Sequence, residues 1–483
     1  MSGAHAPFGT ERGRVLDTHR PTADRVRLIA YRPGRTQLSE VASFALPIVV
    51  VQVGLMSMGA LDTVMVGRVS ATDLAAVAIG NLYFFGIAVF GMGVLFSLDP
   101  VVSQAVGASD HVGIARGVQR GGAIAVALTL IATLLLVPAG PFLALARQPL
   151  DVVPVSADYA HGMIPGVFPF YGFIVLRQSL LAMGRVRAIL VTVIAANVVN
   201  FLLNWVLIFG NLGAPALGAV GSAWGTSASR WFMMLGLMAL GWPPLRRSLR
   251  PLRSDALARA PLMRTLRVGV PIGAQQFLEF GVFGAAGLLM GLIGTVAVAS
   301  HQVALQLAAL TFMVPVGVAQ ATSVIVGQAV GRGDASEARR VVGAGLAVGV
   351  GFMSLTAALF LTLPGPLSRI FTDDLDVVAA ATLLLPIAGV FQVFDGLQVV
   401  AAGALRGVGD TRVPMVLNLV GFWLVGLPIC ALLGFTLGLG PRGIWWGLAT
   451  GIGVVAVLLS FRIRRRFGRE LKRIVIDDDH AVA

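Results

Sequence analysis

Cysteine, lysine and charge are what this chain has little of. Its 483 residues include one cysteine, Cys430, set in an apolar run, so neither a disulfide framework nor a cysteine-based metal site can be built within it. Lysine occurs once, at Lys472. Charged residues make up 12% of the chain against 57% hydrophobic ones, and the mean hydropathy is +0.86. That balance excludes a string of soluble domains and places the chain among integral membrane proteins. Acidic residues are the scarcer sign, 23 against 36 basic, for a net charge of +13. A surplus of that kind can signal nucleic acid, but here the arginines lie between apolar runs, so no nucleic-acid partner is expected.

What is present is a succession of long apolar runs. Roughly 20 apolar residues cross a hydrocarbon core of about 30 Å. On that measure twelve spans are predicted, near 41–67, 74–106, 118–145, 153–182, 188–210, 217–241, 265–291, 296–329, 340–364, 376–405, 413–435 and 442–462. The first run follows a polar tail of some forty residues and is too long for a cleaved leader, so it is expected to remain as a helix. The tail carries Arg12, Arg14, Arg20, Arg25, Arg27, Arg32 and Arg35, and no catalytic role is assigned to it.

Cytoplasmic loops retain Lys and Arg, so alternate connections report orientation. With the N-terminus inside, thirty basic residues fall on the inner side and four, Arg68, Arg147, Arg369 and Arg442, on the outer. Arg177 and Arg230 fall inside spans. The asymmetry predicts twelve spans with both termini cytoplasmic.

The chain also repeats itself. A shift of 224 residues lays Pro47 on Pro271, Gln52 on Gln276, Gly93 on Gly317 and Gln104-Ala-Val-Gly107 on Gln328-Ala-Val-Gly331. A shift of 222 pairs Gly221, Trp224 and Gly225 with Gly443, Trp446 and Gly447. Two six-helix bundles in parallel repeat follow, because six spans return the chain to the side it started from. The expected organisation is a tail (1–38), an N-lobe (39–242), a proline-rich linker (243–264), a C-lobe (265–463) and a second tail (464–483). The fold class is all-α integral membrane.

Ionisable groups inside spans are costly, roughly 2.5 to 3.5 kcal/mol each on insertion scales, and so mark function. Asp62 lies near the outer end of the first span, Asp99 near the inner end of the second, Glu279 mid-way along the seventh and Asp395 mid-way along the tenth. Glu279 maps back onto Leu55 and Asp62 forward onto Ala286, so a symmetric scaffold carries asymmetric charges. Asn197, Asn200 and Asn204 share a helix face, suited either to interhelical hydrogen bonds or to ligand duty. Two carboxyl groups in one dehydrated cavity can exchange a proton or, when ionised, hold a hard monovalent cation. The charge state then biases one conformation over another. Phe280, Phe283, Phe391 and Phe394 offer faces for flat organic cations, although packing is the commoner use of a membrane phenylalanine.

At these residues the sequence resembles the multidrug and toxic compound extrusion (MATE) family, and is most similar to its NorM-like bacterial branch. The resemblance runs over about 38–465 and is carried by LDTVMVGR (61–68), the Gln104-Ala-Val-Gly turn, Pro271 through Glu279, SHQVALQ (300–306), and Asp395 with the following AAGALRGVGDTR. It implies an outward-pumping antiporter in the bacterial plasma (inner) membrane, driven by H+ or Na+, without other cofactor. Substrates would be small organic compounds bound between the lobes, with membrane lipid as surroundings and a monomer as the working unit. By resemblance, Asp62, Asn200 and Asn204 form the N-lobe cation or proton site, Glu279 and Asp395 the C-lobe acidic pair, and Gln302 joins the substrate cavity. One position departs from that pattern. Phe391 stands one turn before Asp395, where the resemblance implies a cation-associated tyrosine, and a phenyl ring supplies no oxygen for Na+.

Other readings predict other features. A lipid-linked saccharide flippase of the same superfamily calls for a cationic central cavity. A membrane prenyl transferase calls for paired aspartate motifs around Mg2+. The nearest matches are Asp373-Asp374-Leu375-Asp376 and Asp477-Asp478-Asp479, in a predicted outer loop and in the C-terminal tail. A channel gains nothing from asymmetric mid-membrane carboxyl groups.

Overall fold

The computed structural model describes residues 31–477, and every regular element among them is helical. The tail arginines from Arg12 to Arg27, and Asp478 and Asp479, lie outside the described residues. We number the spans α1 (Arg35–Val66), α2 (Ala71–Gly107), α3 (His111–Leu136), α4 (Val153–Ala182), α5 (Val186–Phe209), α6 (Gly218–Leu240), α7 (Arg259–Ile293), α8 (Thr295–Gly331), α9 (Ala335–Thr362), α10 (Leu375–Gly407), α11 (Arg412–Thr436) and α12 (Pro441–Phe467).

Eleven of the twelve are long and apolar enough to cross a membrane by length and composition. The exception is α6, whose inner face carries Ser222, Thr226, Ser227, Ser229 and Arg230, all buried. Proline sets one expected boundary differently and interrupts two spans. The third span stops at Leu136 rather than 145, because Pro138 cannot continue the hydrogen-bond ladder, and a separate short helix covers Ala139–Leu145. Within α2 the helix breaks between Leu95 and Leu98, where Pro100 has no N–H to give the Phe96 carbonyl. Pro165 sits in a single 3-10 turn, Ile164–Gly166, inside α4.

Both ends of the described chain and most of the arginines lie at one end of the bundle, called here the basic end. From mid-span to this end the two lobes meet through repeat-related glycines. A Cβ on Gly93 (α2) would fall 2.6 Å from Gly273 Cα (α7), and one on Gly317 (α8) 2.6 Å from a Val49 side-chain carbon (α1). A Cβ on Gly107 would fall 2.1 Å from the Gln328 carbonyl oxygen, and one on Gly331 2.1 Å from that of Gln104. The two glutamines complete the exchange: Gln104 Nε2 donates to the Gly407 carbonyl of α10 (2.8 Å), and Gln328 Nε2 to the Ala182 carbonyl of α4 (2.9 Å). Each caps an orphan carbonyl at a helix end of the opposite lobe. The repeated Gln-Ala-Val-Gly segments are thus the two halves of one pseudo-symmetric closure.

Towards the other end, Gly59 on α1 and Gly284, Gly287 and Gly291 on α7 have nothing within 4 Å of a side-chain position. The lobes are therefore joined at the basic end and parted at the opposite one. Substituting Gly107→Val or Gly331→Val should wedge the closure open. Spin labels at the exposed Arg187 and Arg340 positions should move apart in pulsed EPR; unchanged distance distributions would show that the glycines do not set the closure.

Beyond α12 the chain folds back over this end. Ile474 N–H donates to Gln104 Oε1 (2.8 Å), Asp477 pairs with Arg120, and Arg473 pairs with Asp110 (2.5 Å). Burial alone would raise the Asp110 pKa, but hydrogen bonds from the Arg473 guanidinium and the Gly113 amide hold it below the usual carboxylate value. Asp477 is accounted for as an ion-pair partner, and Asp374 as the N-cap of α10, accepting from the Asp376 and Val377 amides. Among the described residues no group of three or more His, Cys, Asp or Glu side chains could hold a metal.

Candidate functional site

Two separate clusters carry the buried carboxyl groups. In the N-lobe, Asp62 lies one turn before the end of α1 and is 6% exposed. Asn204 Nδ2 of α5 donates to its Oδ1 (2.5 Å) and Thr226 Oγ1 of α6 to its Oδ2 (2.8 Å), while Asn204 Nδ2 also faces Asn200 Oδ1 (3.4 Å). Asp62 does not cap the local turn; Thr63 bonds instead to the Gly59 carbonyl. Gly225 makes the cluster possible, because a Cβ there would fall 2.4 Å from Asn204 Oδ1. Its repeat partner Gly447 fits closely against Cys430 in the same way, so the repeated Gly-x-x-Trp-Gly pattern is a packing notch. Asn197, the third member of the asparagine row, donates to the Gly54 and Val193 carbonyls and is structural.

Two residues beside Asp62 escape reasoning from carboxylates and asparagines. Thr226 is one. Arg230, one turn further along α6, is the other: its guanidinium lies over the Phe84 ring at 4.2 Å and the Phe170 ring at 5.1 Å. An arginine inside a span was itself the signal, since such residues are as costly there as acids.

In the C-lobe, Glu279 (α7) and Asp395 (α10) line one cavity of about 490 Å3. Phe280, Phe283, Phe391, His301, Gln302 and Trp445 form much of its wall. Leu82 of α2 also reaches it, so the cavity lies against the opposite lobe. Neither carboxyl group has a hydrogen-bond or ion-pair partner among the described residues, unlike Asp62. Phe391 is 2% exposed and packs edge-on against Phe283 (6.1 Å) and Trp445 (5.8 Å). Phe394 is not brought to this cavity. It lines a separate groove with Val390, Trp446 and Val457, because its neighbour Asp395 takes the inward direction on the same turn.

Asp99 belongs to neither cluster. It is fully buried at the lobe boundary, where Gln178 Nε2 donates to Oδ1 (2.5 Å) and Arg406 Nη1 of α10 lies 3.5 Å from Oδ2. The guanidinium groups of Arg406 (5.5 Å) and Arg177 (6.0 Å) both lie over the Phe96 ring. Arg406 and Asp395 are eleven residues apart on one helix, about 16 Å along its axis.

The MatE family model matches residues 47–206 and 271–432, one match in each repeat. The chain belongs to the MatE family. A probable multidrug resistance protein NorM of Mesorhizobium japonicum is 37% identical over 89% of this chain and 94% of its own length. The multidrug resistance protein PmpM of Pseudomonas aeruginosa is 35% identical over 93% of this chain and 96% of its own. Among solved structures, the eukaryotic MATE transporter AtDTX14 superposes with a TM-score of 0.81 at 21% identity, covering 91% of this chain and 98% of that one. The Vibrio cholerae MATE transporter VcmN gives 0.81 at 17% identity. The latter two show the fold. This MatE chain is a multi-pass membrane transporter and not an enzyme.

Proposed function

We propose that the chain is a cation-coupled antiporter that exports small amphipathic or cationic organic compounds across a bacterial plasma membrane by alternating access, with both termini cytoplasmic. The observation that carries this reading is the Glu279–Asp395 cavity: two carboxyl groups without hydrogen-bond or ion-pair partners among the described residues, walled by aromatic rings and set against the opposite lobe. A carboxylate left unpaired in such a place is stable only with a proton or cation on it. A substrate cation over Phe280 or Phe283 competes for the same negative charge. The relatives named as multidrug resistance proteins support the substrate class.

Protons are the coupling ion we assign to the C-lobe pair. Na+ wants several oxygens, and the cavity offers two carboxyl groups and Gln302 but a phenyl ring at Phe391. In the N-lobe the Asp62, Asn200, Asn204 and Thr226 oxygens form a second protonation site, with Arg230 as a fixed cation nearby that disfavours Na+. With the termini inside, the closure at the basic end makes this the outward-open state. α10 links the two events of the cycle, since it carries Asp395 in the cavity and Arg406 at the lobe boundary. Each chain holds both lobes and its own cavity, so a monomer is a complete pump. A flippase would need basic groups around this cavity, and its lining holds no Arg or Lys.

The test is efflux of an organic cation from liposomes containing the purified protein. An imposed H+ gradient should drive transport and a Na+ gradient alone should not. Transport indifferent to both gradients would end the antiporter reading; transport driven by Na+ alone would end the proton assignment.

A further inference from the structure

Three arginines at the basic end of the N-lobe converge on one cavity. The α4–α5 turn and the start of the linker wall a cavity of about 620 Å3 lined by Gly184, Arg185, Arg187, Leu240, Pro244 and Arg247. All three residues are exposed. Among the described residues none of them has an acidic partner or a hydrogen bond. Several arginines at this end are matched instead: Arg116 with Asp255 (2.6 Å), Arg462 with Asp410 (2.7 Å), Arg473 with Asp110 (2.5 Å). The first turn of the 24-residue α5 also lines the cavity, with no acidic residue and no capping side chain, so its unpaired N–H groups add to the positive field.

The internal repeat supplies a control within the same molecule. The α4–α5 turn and its counterpart between α10 and α11 share a left-handed glycine, Gly184 (φ 73°) and Gly409 (φ 75°). The next residue is Arg185 in one and Asp410 in the other. Asp410 is neutralised by Arg462, and the space beside Gly409 is filled by the Ile474 side chain. The scaffold therefore does not require an open turn with a basic residue after the glycine; of these two repeat-related turns only the N-lobe one has it.

An anion with an apolar part fits best. Leu240, at the cavity edge, is 54% exposed, and the adjoining outer faces of α5 and α6 present Val191, Ile194 and Leu235 to the surroundings. Basic pockets at the ends of membrane helices suit anionic headgroups. We propose that this cavity binds the phosphate headgroup of an anionic glycerophospholipid, with the acyl chains lying along α5 and α6. The bound lipid ties together the two helices that hold Asn204 and Thr226 against Asp62.

Binding can be measured without transport. Delipidated protein in a neutral detergent is titrated with dioctanoyl phosphatidylglycerol, dioctanoyl phosphatidylcholine or inorganic phosphate, with thermal unfolding as the readout. Phosphatidylglycerol should raise the unfolding midpoint, while phosphatidylcholine and phosphate at the same concentration should not. Arg185→Gln, Arg187→Gln and Arg247→Gln should each weaken the effect about fivefold, and the triple variant on the order of a hundredfold. Arg369→Gln with Arg442→Gln, at the opposite end of the bundle, should leave it unchanged. The three side chains are exposed and unpartnered, so folding should survive, and the single variants carry the test if the triple does not. Equal response to phosphatidylcholine, or undiminished binding by the variants, overturns the proposal. A midpoint shift with phosphate alone makes this a free-anion site and overturns the lipid assignment.

Discussion

Asp395→Asn should abolish gradient-driven export while leaving a protein that inserts and folds. The side chain is 6% exposed and lines the cavity with Glu279, with no hydrogen bond from any described residue. Replacing it by a neutral group of the same size removes the proposed site of protonation and no native contact. Stability should therefore move by less than roughly 1 kcal/mol, as for substitutions that disturb neither packing nor a polar network. Efflux from proteoliposomes under an H+ gradient should fall to the level of empty liposomes, with thermal unfolding near that of the unmodified chain. A variant that pumps normally would move the coupling site elsewhere. Asp62, by contrast, is held by Asn204 and Thr226, so loss of transport through its substitution would be entangled with loss of a buried network.

The lobe-boundary pair should behave in the opposite way, with a large cost in stability. Asp99→Ala leaves the Arg406 guanidinium buried beside Phe96 without its counter-charge, and Arg406→Met leaves a fully buried carboxylate. Breaking one side of a buried ion pair typically costs about 3–5 kcal/mol, whereas removing both sides is often close to neutral. The double variant Asp99→Ala/Arg406→Met should thus recover much of the stability lost in either single variant. A double-mutant cycle on thermal or denaturant unfolding measures this, and strictly additive losses would show that the two groups do not interact. Because Asp99 sits on α2 and Arg406 on α10, the same variants should also loosen the closure at the basic end.

Much of this protein was determined by its sequence alone. Twelve crossings follow from the length of the apolar runs and from the one-sided placement of arginine, because hydrocarbon tolerates neither open backbone nor stray charge. Two parallel lobes follow from the 224-residue repeat. The carboxyl groups announced themselves by cost, since a residue so expensive in an apolar helix needs a reason. Even Phe391 could be weighed in advance, because what matters there is an oxygen that phenylalanine lacks.

Tertiary structure decided what each polar group meets, and that depends on helix rotation and on residues distant in the chain. Asp395 and Phe394 are neighbours, yet one faces the cavity and the other a separate groove, a difference of one helical step. Asp99 could have met any arginine near its end of the bundle; only the packing of α2 against α10 chose Arg406, 307 residues away. Thr226 and Arg230 came to Asp62 through a close approach of α5 and α6 that Gly225 permits. The repeated Gln-Ala-Val-Gly segments were visible as a pattern, but only the folded chain shows them facing each other, each capping a helix of the opposite lobe. A one-dimensional pattern records which side chains are expensive; the packing of helices against one another determines which of them are satisfied and which are left for a ligand.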